Sequence, residues 1–186
     1  EAGEFDVKYV DQAVRRGLEM KERGNVFDTP YADGAAADAL TGNAEARALA
    51  TAAAHKGAVL LKNEGGLLPL DASKYNKIAV IGPNAAITVL GGYSDEPRQL
   101  VSILDGIKAK VGADKVVHAQ GVTLTDNRSW WDDEVNLTDR DQNLSDIYKA
   151  VSVAKDADLI ILAIGGDEST SREAWNEQHM GDRNDI

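Results

Sequence analysis

Apolar residues follow two patterns along the chain, and the patterns predict different elements. Near the start, Val10, Val14 and Leu18 recur at helical spacing among charged residues, which is typical of an amphipathic helix. In the second half, aliphatic residues form short continuous runs, as in strands covered on both faces of a sheet. The patterns predict helices at residues 10–23, 43–56, 102–111 and 144–155, and strands at residues 77–82, 115–120 and 158–165.

The alternation of these strands with helices predicts a parallel α/β sheet that carries helices on both faces. In such a sheet, ligands bind beyond the carboxyl ends of the strands. Two of the strands end there in glycine and a polar loop, at residues 82–84 and 165–168. We therefore expect the chemistry to lie in these two loops.

Two segments outside this pattern have their own signals. Residues 27–43 are rich in Asp, Ala, Gly and Pro, which predicts a linker. The apolar run at residues 58–62 is compatible with a further short strand.

Composition excludes several classes of function. The formal charge of -11 and the pI of about 4.7 argue against nucleic acid as a partner, because phosphate recognition needs a basic face. The absence of cysteine excludes disulfides, thiolate zinc sites and a cysteine nucleophile. No apolar run reaches the roughly 20 residues of a membrane span, and the acidic first residues lack the pattern of a signal peptide.

The sequence also contains no cofactor motif. The glycine loop after Ile81 lacks both the dinucleotide fingerprint and the lysine of a P-loop. The three histidines, at positions 55, 118 and 179, show no metal-ligand spacing. We therefore expect neither a cofactor nor a metal.

Residues 167–183 form an unusually charged segment with three Glu, two Asp, two Arg, one His and one Trp. Cleavage of a glycoside needs one carboxylic acid to protonate the leaving oxygen and a second carboxylate at the sugar ring. Trp and Arg beside such acids would supply stacking and hydroxyl contacts. Composition by itself favours the alternative, a solvated acidic loop.

Five short segments, in this order along the chain, resemble glycoside hydrolase family 3 of the bacterial β-glucosidase and β-xylosidase type. The segments are residues 10–31, 58–70, 77–94, 150–165 and 172–183. Each is weak alone, but five in register are specific.

The resemblance implies a fold and a division into domains. The fold would be α/β, a parallel-sheet α/β sandwich that is truncated and is preceded by the last helix of a TIM-like barrel. Residues 1–31 would end the barrel domain, residues 32–43 would form the linker, and residues 44–186 would form a C-terminally incomplete sandwich domain.

The resemblance also implies a retaining, exo-acting β-glycosidase that hydrolyses β-linked glucosides or xylosides. In the family, an aspartate nucleophile lies on the barrel and a loop of the second domain supplies the acid/base. That loop corresponds to residues 167–183, in which Glu173 best matches the acid/base and Glu168 and Glu177 compete with it. The implied substrate-binding residues are Arg172, Trp175 and Ser94, the last with the alternative of a simple turn residue.

The barrel's nucleophile motif is missing, so we expect the chain alone to be inactive. The expected partners are a β-linked oligosaccharide or glycoside and the family's barrel domain, and a homodimer is possible. A bacterial location is implied, whether periplasmic, secreted or cytoplasmic. Two alternatives stay open: a non-catalytic carbohydrate-binding module, and a structural domain that stabilises a barrel or a dimer.

Overall fold

The computed structural model describes residues 6–91, 93–95, 97, 99–127, 132 and 134–167. The chain forms two compact units, Glu1–Lys62 and Asn63–Ile186. The first unit is helical, and the second carries a parallel sheet. None of the described helices combines the length and the hydropathy that a bilayer span requires.

Three helices make up the described part of the first unit: α1 (Val7–Arg23), α2 (Gly34–Leu40) and α3 (Ala44–Gly57). Each begins after an Asp or Asn whose side-chain oxygen accepts a backbone N–H of the first turn, at Asp6, Asp33 and Asn43. Such caps satisfy donors that have no partner within the helix. The helix predicted at residues 43–56 is confirmed, with Asn43 as its cap.

The segment predicted to be a linker, residues 27–43, contains the short helix α2. Asp33 accepts hydrogen bonds from the N–H groups of Ala35 and Ala36, at 3.0 and 3.2 Å. Alanine has the highest helix propensity, and Gly34 lies at the helix start, where it interrupts no turn. Composition pointed to Gly and Pro as breakers and missed the capped alanine run between them.

Helix α1 has the predicted apolar face, but that face is not buried. Val10, Val14 and Leu18 are 57%, 55% and 49% exposed. Val14 and Leu18 line a shallow hollow of about 420 Å³ together with Phe27. Among the described residues of the first unit, nothing covers this face.

The second unit is built on three parallel strands, β1 (Ile78–Ile81), β2 (Val116–Ala119) and β3 (Leu159–Leu162), in the order β2-β1-β3. Helix α4 (Ile103–Val111) connects β1 to β2, and helix α5 (Arg140–Ala154) connects β2 to β3. Ile78 pairs with Val116 on one side and with Leu159 on the other. The predicted α/β fold with a parallel sheet is confirmed.

Strand β1 is the centre of the core. All four of its residues are buried, and they alternate between the two faces of the sheet. Ile78 and Val80 pack with Leu104 of α4, whereas Ala79 and Ile81 pack with Ala150 of α5. Burying a Val or Ile side chain contributes about 1.5–3 kcal/mol, so β1 is the main apolar contribution to this unit.

The boundaries of the elements depend on caps. Ser102, the first residue of the helix predicted at residues 102–111, caps α4: its hydroxyl accepts from Asp105 N at 3.0 Å and donates to Asp105 Oδ2 at 2.6 Å. Helix α5 starts four residues before the predicted Leu144, because Asp139 accepts from two N–H groups of the polar first turn. The possible strand at residues 58–62 is not formed, and Leu61 is 91% exposed. A strand needs a neighbour for its backbone hydrogen bonds, which local sequence does not reveal.

Asp158 fastens β1 to β3 at their amino ends. Its Oδ2 accepts from the backbone N–H groups of Asn76 and Lys77, at 2.8 and 3.0 Å. The hydrogen bond from Asn76, followed by that from Lys77, lowers the pKa of the Asp158 carboxyl below its ordinary value of 3.8. Because the folded state holds the ionised form, this carboxylate stabilises the fold above about pH 3.8, and the contribution is lost as the pH falls through the lowered pKa.

We expect Asp158→Ala to lower the melting temperature at pH 7, and the gap from the unmodified chain to close as the pH falls below 3.8. Asp158→Asn keeps an acceptor oxygen without the charge, so it should be intermediate at pH 7. Thermal melts followed by circular dichroism across this range test the expectation. A gap that widens on acidification would contradict it.

Candidate functional site at the carboxyl edge of the sheet

The carboxyl ends of β1 and β3 form the crevice in which a sheet of this type binds ligands. The chain leaves β1 towards β2 through α4, and it reaches β3 on the other side of β1 through α5. Strand order therefore reverses between β1 and β3, and the two loops that follow them diverge over the crevice. These are the loops, residues 82–84 and 165–168, in which the sequence predicted the chemistry.

The loop after β1 is held on three sides by backbone hydrogen bonds. Gly82 N donates to Ala119 O of β2 at 3.2 Å, and Asn84 N donates to Ala163 O beyond β3 at 3.2 Å. Leu104 N of α4 donates to Ala85 O at 2.9 Å. The loop is therefore a fixed reference point between the exits of all three strands.

Gly82 permits the close approach of this loop to the end of β3. Its φ of 133° is a conformation that residues with a side chain rarely adopt. A Cβ at this position would also collide with the carbonyl oxygen of Ala163. The pairing of β1 and β3 at their carboxyl ends thus requires glycine here.

Asn84 connects the loop after β1 to the loop after β3. Its Nδ2 donates to the carbonyl oxygen of Gly165 at 3.2 Å. Its Oδ1 is buried and has no hydrogen-bond partner among the described residues. Asp167, which follows Gly165 by two residues, is only 6% exposed. The sequence pointed to this loop, but nothing local predicted that the Asn84 side chain would span to Gly165.

Beside this crevice, on the α5 face of the sheet, lies an open apolar hollow of about 350 Å³. Its lining combines Leu162 and Ile164 of the β3 exit with Ile147 and Val151 of α5. Sugar hydroxyls need hydrogen-bond partners, and this lining offers very few. The hollow is therefore unsuited to carbohydrate, and the two loops remain the candidate site.

In the described part of the chain, the carboxyl groups with a shifted pKa all have a lowered one, which favours the ionised state. A hydrogen bond from the Ser102 hydroxyl lowers the pKa of Asp105, and one from Lys149 lowers the pKa of Asp146. A general acid needs the opposite, a raised pKa. The full set with a lowered pKa is Asp6, Asp71, Asp105, Asp146 and Asp158.

Of the predicted site residues, the structure describes Ser94. It lies in a turn, where its N–H donates to Gly91 O at 2.8 Å, and its side chain is exposed beside Tyr93. The predicted catalytic glutamate and its two competitors, with the predicted Arg and Trp, lie outside the described residues: Glu168, Arg172, Glu173, Trp175 and Glu177. Within the described residues, no group of three or more Asp, Glu or His side chains is arranged to hold a metal ion.

The fold defines a class of domain, an α/β domain with a parallel sheet and a crevice at its carboxyl edge. Residues 58–186 match the family model of the glycosyl hydrolase family 3 C-terminal domain. The chain therefore belongs to glycoside hydrolase family 3, as the resemblance had indicated.

Relatives of known name agree with this assignment. A β-xylosidase of Formosa agariphila is 35% identical over 97% of this chain and 23% of its own length. A periplasmic β-glucosidase of Salmonella typhimurium is 30% identical over 96% of this chain and 25% of its own length. The solved structure of a β-glucosidase from Erythrobacter marinus superposes with a TM-score of 0.85 at 38% identity, covering 97% of this chain and 25% of that one. The chain thus spans about a quarter of the length of these relatives.

We expect Gly82→Ala to lower the free energy of unfolding by about 2–4 kcal/mol, since the added methyl group meets the Ala163 backbone and the φ is unfavourable. Gly106→Ala in α4 is the matched control: its nearest neighbour would be Val101 Cγ1 at 3.9 Å, and it should raise stability by about 0.5–1 kcal/mol. Urea denaturation measures both. Equal stability of Gly82→Ala and the unmodified chain would refute the close approach.

Proposed function

We propose that this chain is part of a retaining, exo-acting β-glycosidase that hydrolyses β-linked glucosides or xylosides. The observation that carries the proposal is the match over 97% of the chain, at 38% identity, to the solved β-glucosidase structure. Relatives named as β-xylosidases and β-glucosidases support the same reaction class. The chain would supply the acid/base, and the nucleophile would lie on a barrel domain to which the chain is joined.

In this mechanism the cleavage proceeds in two displacements. The barrel aspartate attacks the anomeric carbon while Glu173 protonates the leaving oxygen, and Glu173 then deprotonates the water that releases the sugar. The two carboxyl groups of a retaining pair lie about 5–5.5 Å apart. The way the two domains dock would therefore determine the distance between the two carboxyl groups, and with it the rate of hydrolysis.

The described geometry supports a catalytic loop at residues 167–183. The segment leaves the sheet at the carboxyl end of β3, where Ala163 and Gly165 are fixed to the loop after β1. A catalytic group must be held to a fraction of an ångström, and it is held best when its loop starts from a rigid element. Arg172, Trp175 and Ser94 would contact the sugar.

The exposed face of α1 supports the proposed assignment of residues 1–31 to the end of the barrel. In the proposal, residues 1–31 end the barrel, residues 32–43 lead across, and residues 44–186 form the sandwich. An outer helix of a barrel packs an apolar stripe on the strands beneath it. Val10, Val14 and Leu18 form such a stripe, and the described residues of their unit leave it exposed.

The proposal is tested by Glu173→Ala in the full-length enzyme, meaning this chain joined to its barrel domain. We expect turnover to fall about 10²–10⁴-fold for glycosides with poor leaving groups, which need the proton, and far less for activated aryl glycosides. Azide should partly restore the activity, because it replaces the water that needs the general base. Turnover on a series of aryl glycosides measures these effects.

Glu168→Ala and Glu177→Ala are the matched controls, and they should keep the normal dependence on the leaving group. If either variant instead loses turnover mainly on poor leaving groups and is rescued by azide, the acid/base is reassigned to that residue. An equal loss on all substrates for every variant, without rescue by azide, would refute the acid/base role of this loop. If the chain binds glucose or xylose but none of its glutamates acts as the acid/base, a non-catalytic carbohydrate-binding module is favoured.

We also expect the 186-residue chain alone to release no sugar from aryl β-glucosides or β-xylosides, since the proposal assigns the nucleophile to the barrel domain. The same chain joined to the barrel should be active. A coupled glucose or xylose assay on both proteins measures this. Turnover by the chain alone would overturn the proposed sharing of catalysis between two domains.

A further inference from the structure

Two side chains fasten β1 to β3, one at each end of the strand pair. At the amino end, Asp158 accepts from Asn76 N and Lys77 N. At the carboxyl end, Asn84 Nδ2 donates to Gly165 O. The first contact secures the start of the strands, whereas the second lies beyond their ends, at the root of the loop that follows β3.

Among the described residues, the backbone hydrogen bonds between the two strand exits reach as far as Ala163. Its N–H donates to Ile81 O at 2.7 Å, and its carbonyl accepts from Asn84 N. The Asn84 side chain extends the connection by two further residues, to Gly165. Gly165 has a φ of 153°, which fits glycine and turns the chain there.

The chemistry of the Asn84 side chain indicates what it is for. Buried polar atoms in proteins almost always have a hydrogen-bond partner, yet Asn84 Oδ1 has none among the described residues. An apolar side chain would fill this space without leaving an oxygen unpaired. The contact that Asn84 makes in the described residues is that of its donor, with the carbonyl of Gly165.

We propose that Asn84 is a positioning residue, which fixes the exit of β3 and thereby aims the acid/base loop at the leaving group. The inference rests on the proposed role of residues 167–183. Glu173 follows Gly165 by eight positions in the sequence. Misplacement of a catalytic group by about 1 Å can reduce turnover about 10²-fold.

The test compares Asn84→Ala and Asn84→Asp in the full-length enzyme. Asn84→Asp keeps the shape and places an acceptor where the donor was, so it serves as a second variant if the alanine protein does not fold. We expect kcat to fall about 10–100-fold for a glycoside with a poor leaving group, and less than about 3-fold for an activated aryl glycoside. KM should change less than kcat does for the poor leaving group, because a positioning role acts on the chemical step.

Asp158→Ala is the matched control, since it breaks the same kind of contact between the same two strands at the opposite edge. It should lower the melting temperature without changing the ratio of kcat between the two substrates. A purely structural role for Asn84 would give that same pattern. An unchanged ratio in both Asn84 variants would therefore overturn the positioning role.

Glu173→Ala, measured in parallel, distinguishes failure of the positioning role of Asn84 from failure of the proposed function. If it shows the leaving-group pattern and the Asn84 variants do not, the positioning role is refuted and the proposed function stands. If Glu173→Ala and the Glu168 and Glu177 controls all lack the pattern, the proposed function is refuted, and the positioning role is refuted with it.

Discussion

Strand β1 lies between β2 and β3 and has a helix against each face, so its four side chains lose nearly all contact with water. Everything else in the second unit is placed relative to this strand. Its register sets the neighbouring strands, its two faces set the helices, and its carboxyl end sets the crevice. A continuous aliphatic segment can occupy such a position because both of its faces are covered.

Pairing between β1 and β3 has a consequence for chemistry as well as for stability. The pair is secured at its amino end by Asp158 and at its carboxyl end by Gly82 and Asn84. Rigidity at the carboxyl end is useful because the segment after β3 would carry a group that must meet a sugar bond held by another domain. A domain that supplies one half of a catalytic pair needs a stiff base for it.

Apolar surface remains exposed on both units, and this fits the length of the relatives. The stripe on α1 and the hollow beside β3 are open in the described part of the chain. The chain spans about a quarter of the length of the related β-glucosidases and β-xylosidases. In the proposed enzyme, activity arises where such domains meet.

The sequence by itself determined the three strands, the main helices and the parallel α/β class, because aliphatic runs and helical spacing are local signals. Caps at Asn43 and Ser102 were likewise predictable, since a cap acts within three residues. The glycine and polar residues at the strand ends pointed to the loops after β1 and β3, and the family resemblance named a catalytic glutamate in residues that the structure does not describe. Only the tertiary structure decided that residues 58–62 form no strand, and that Asn84 and Asp158 fasten the two ends of one strand pair. Those contacts join residues about 80 positions apart, and no local pattern encodes which distant backbone a side chain will meet.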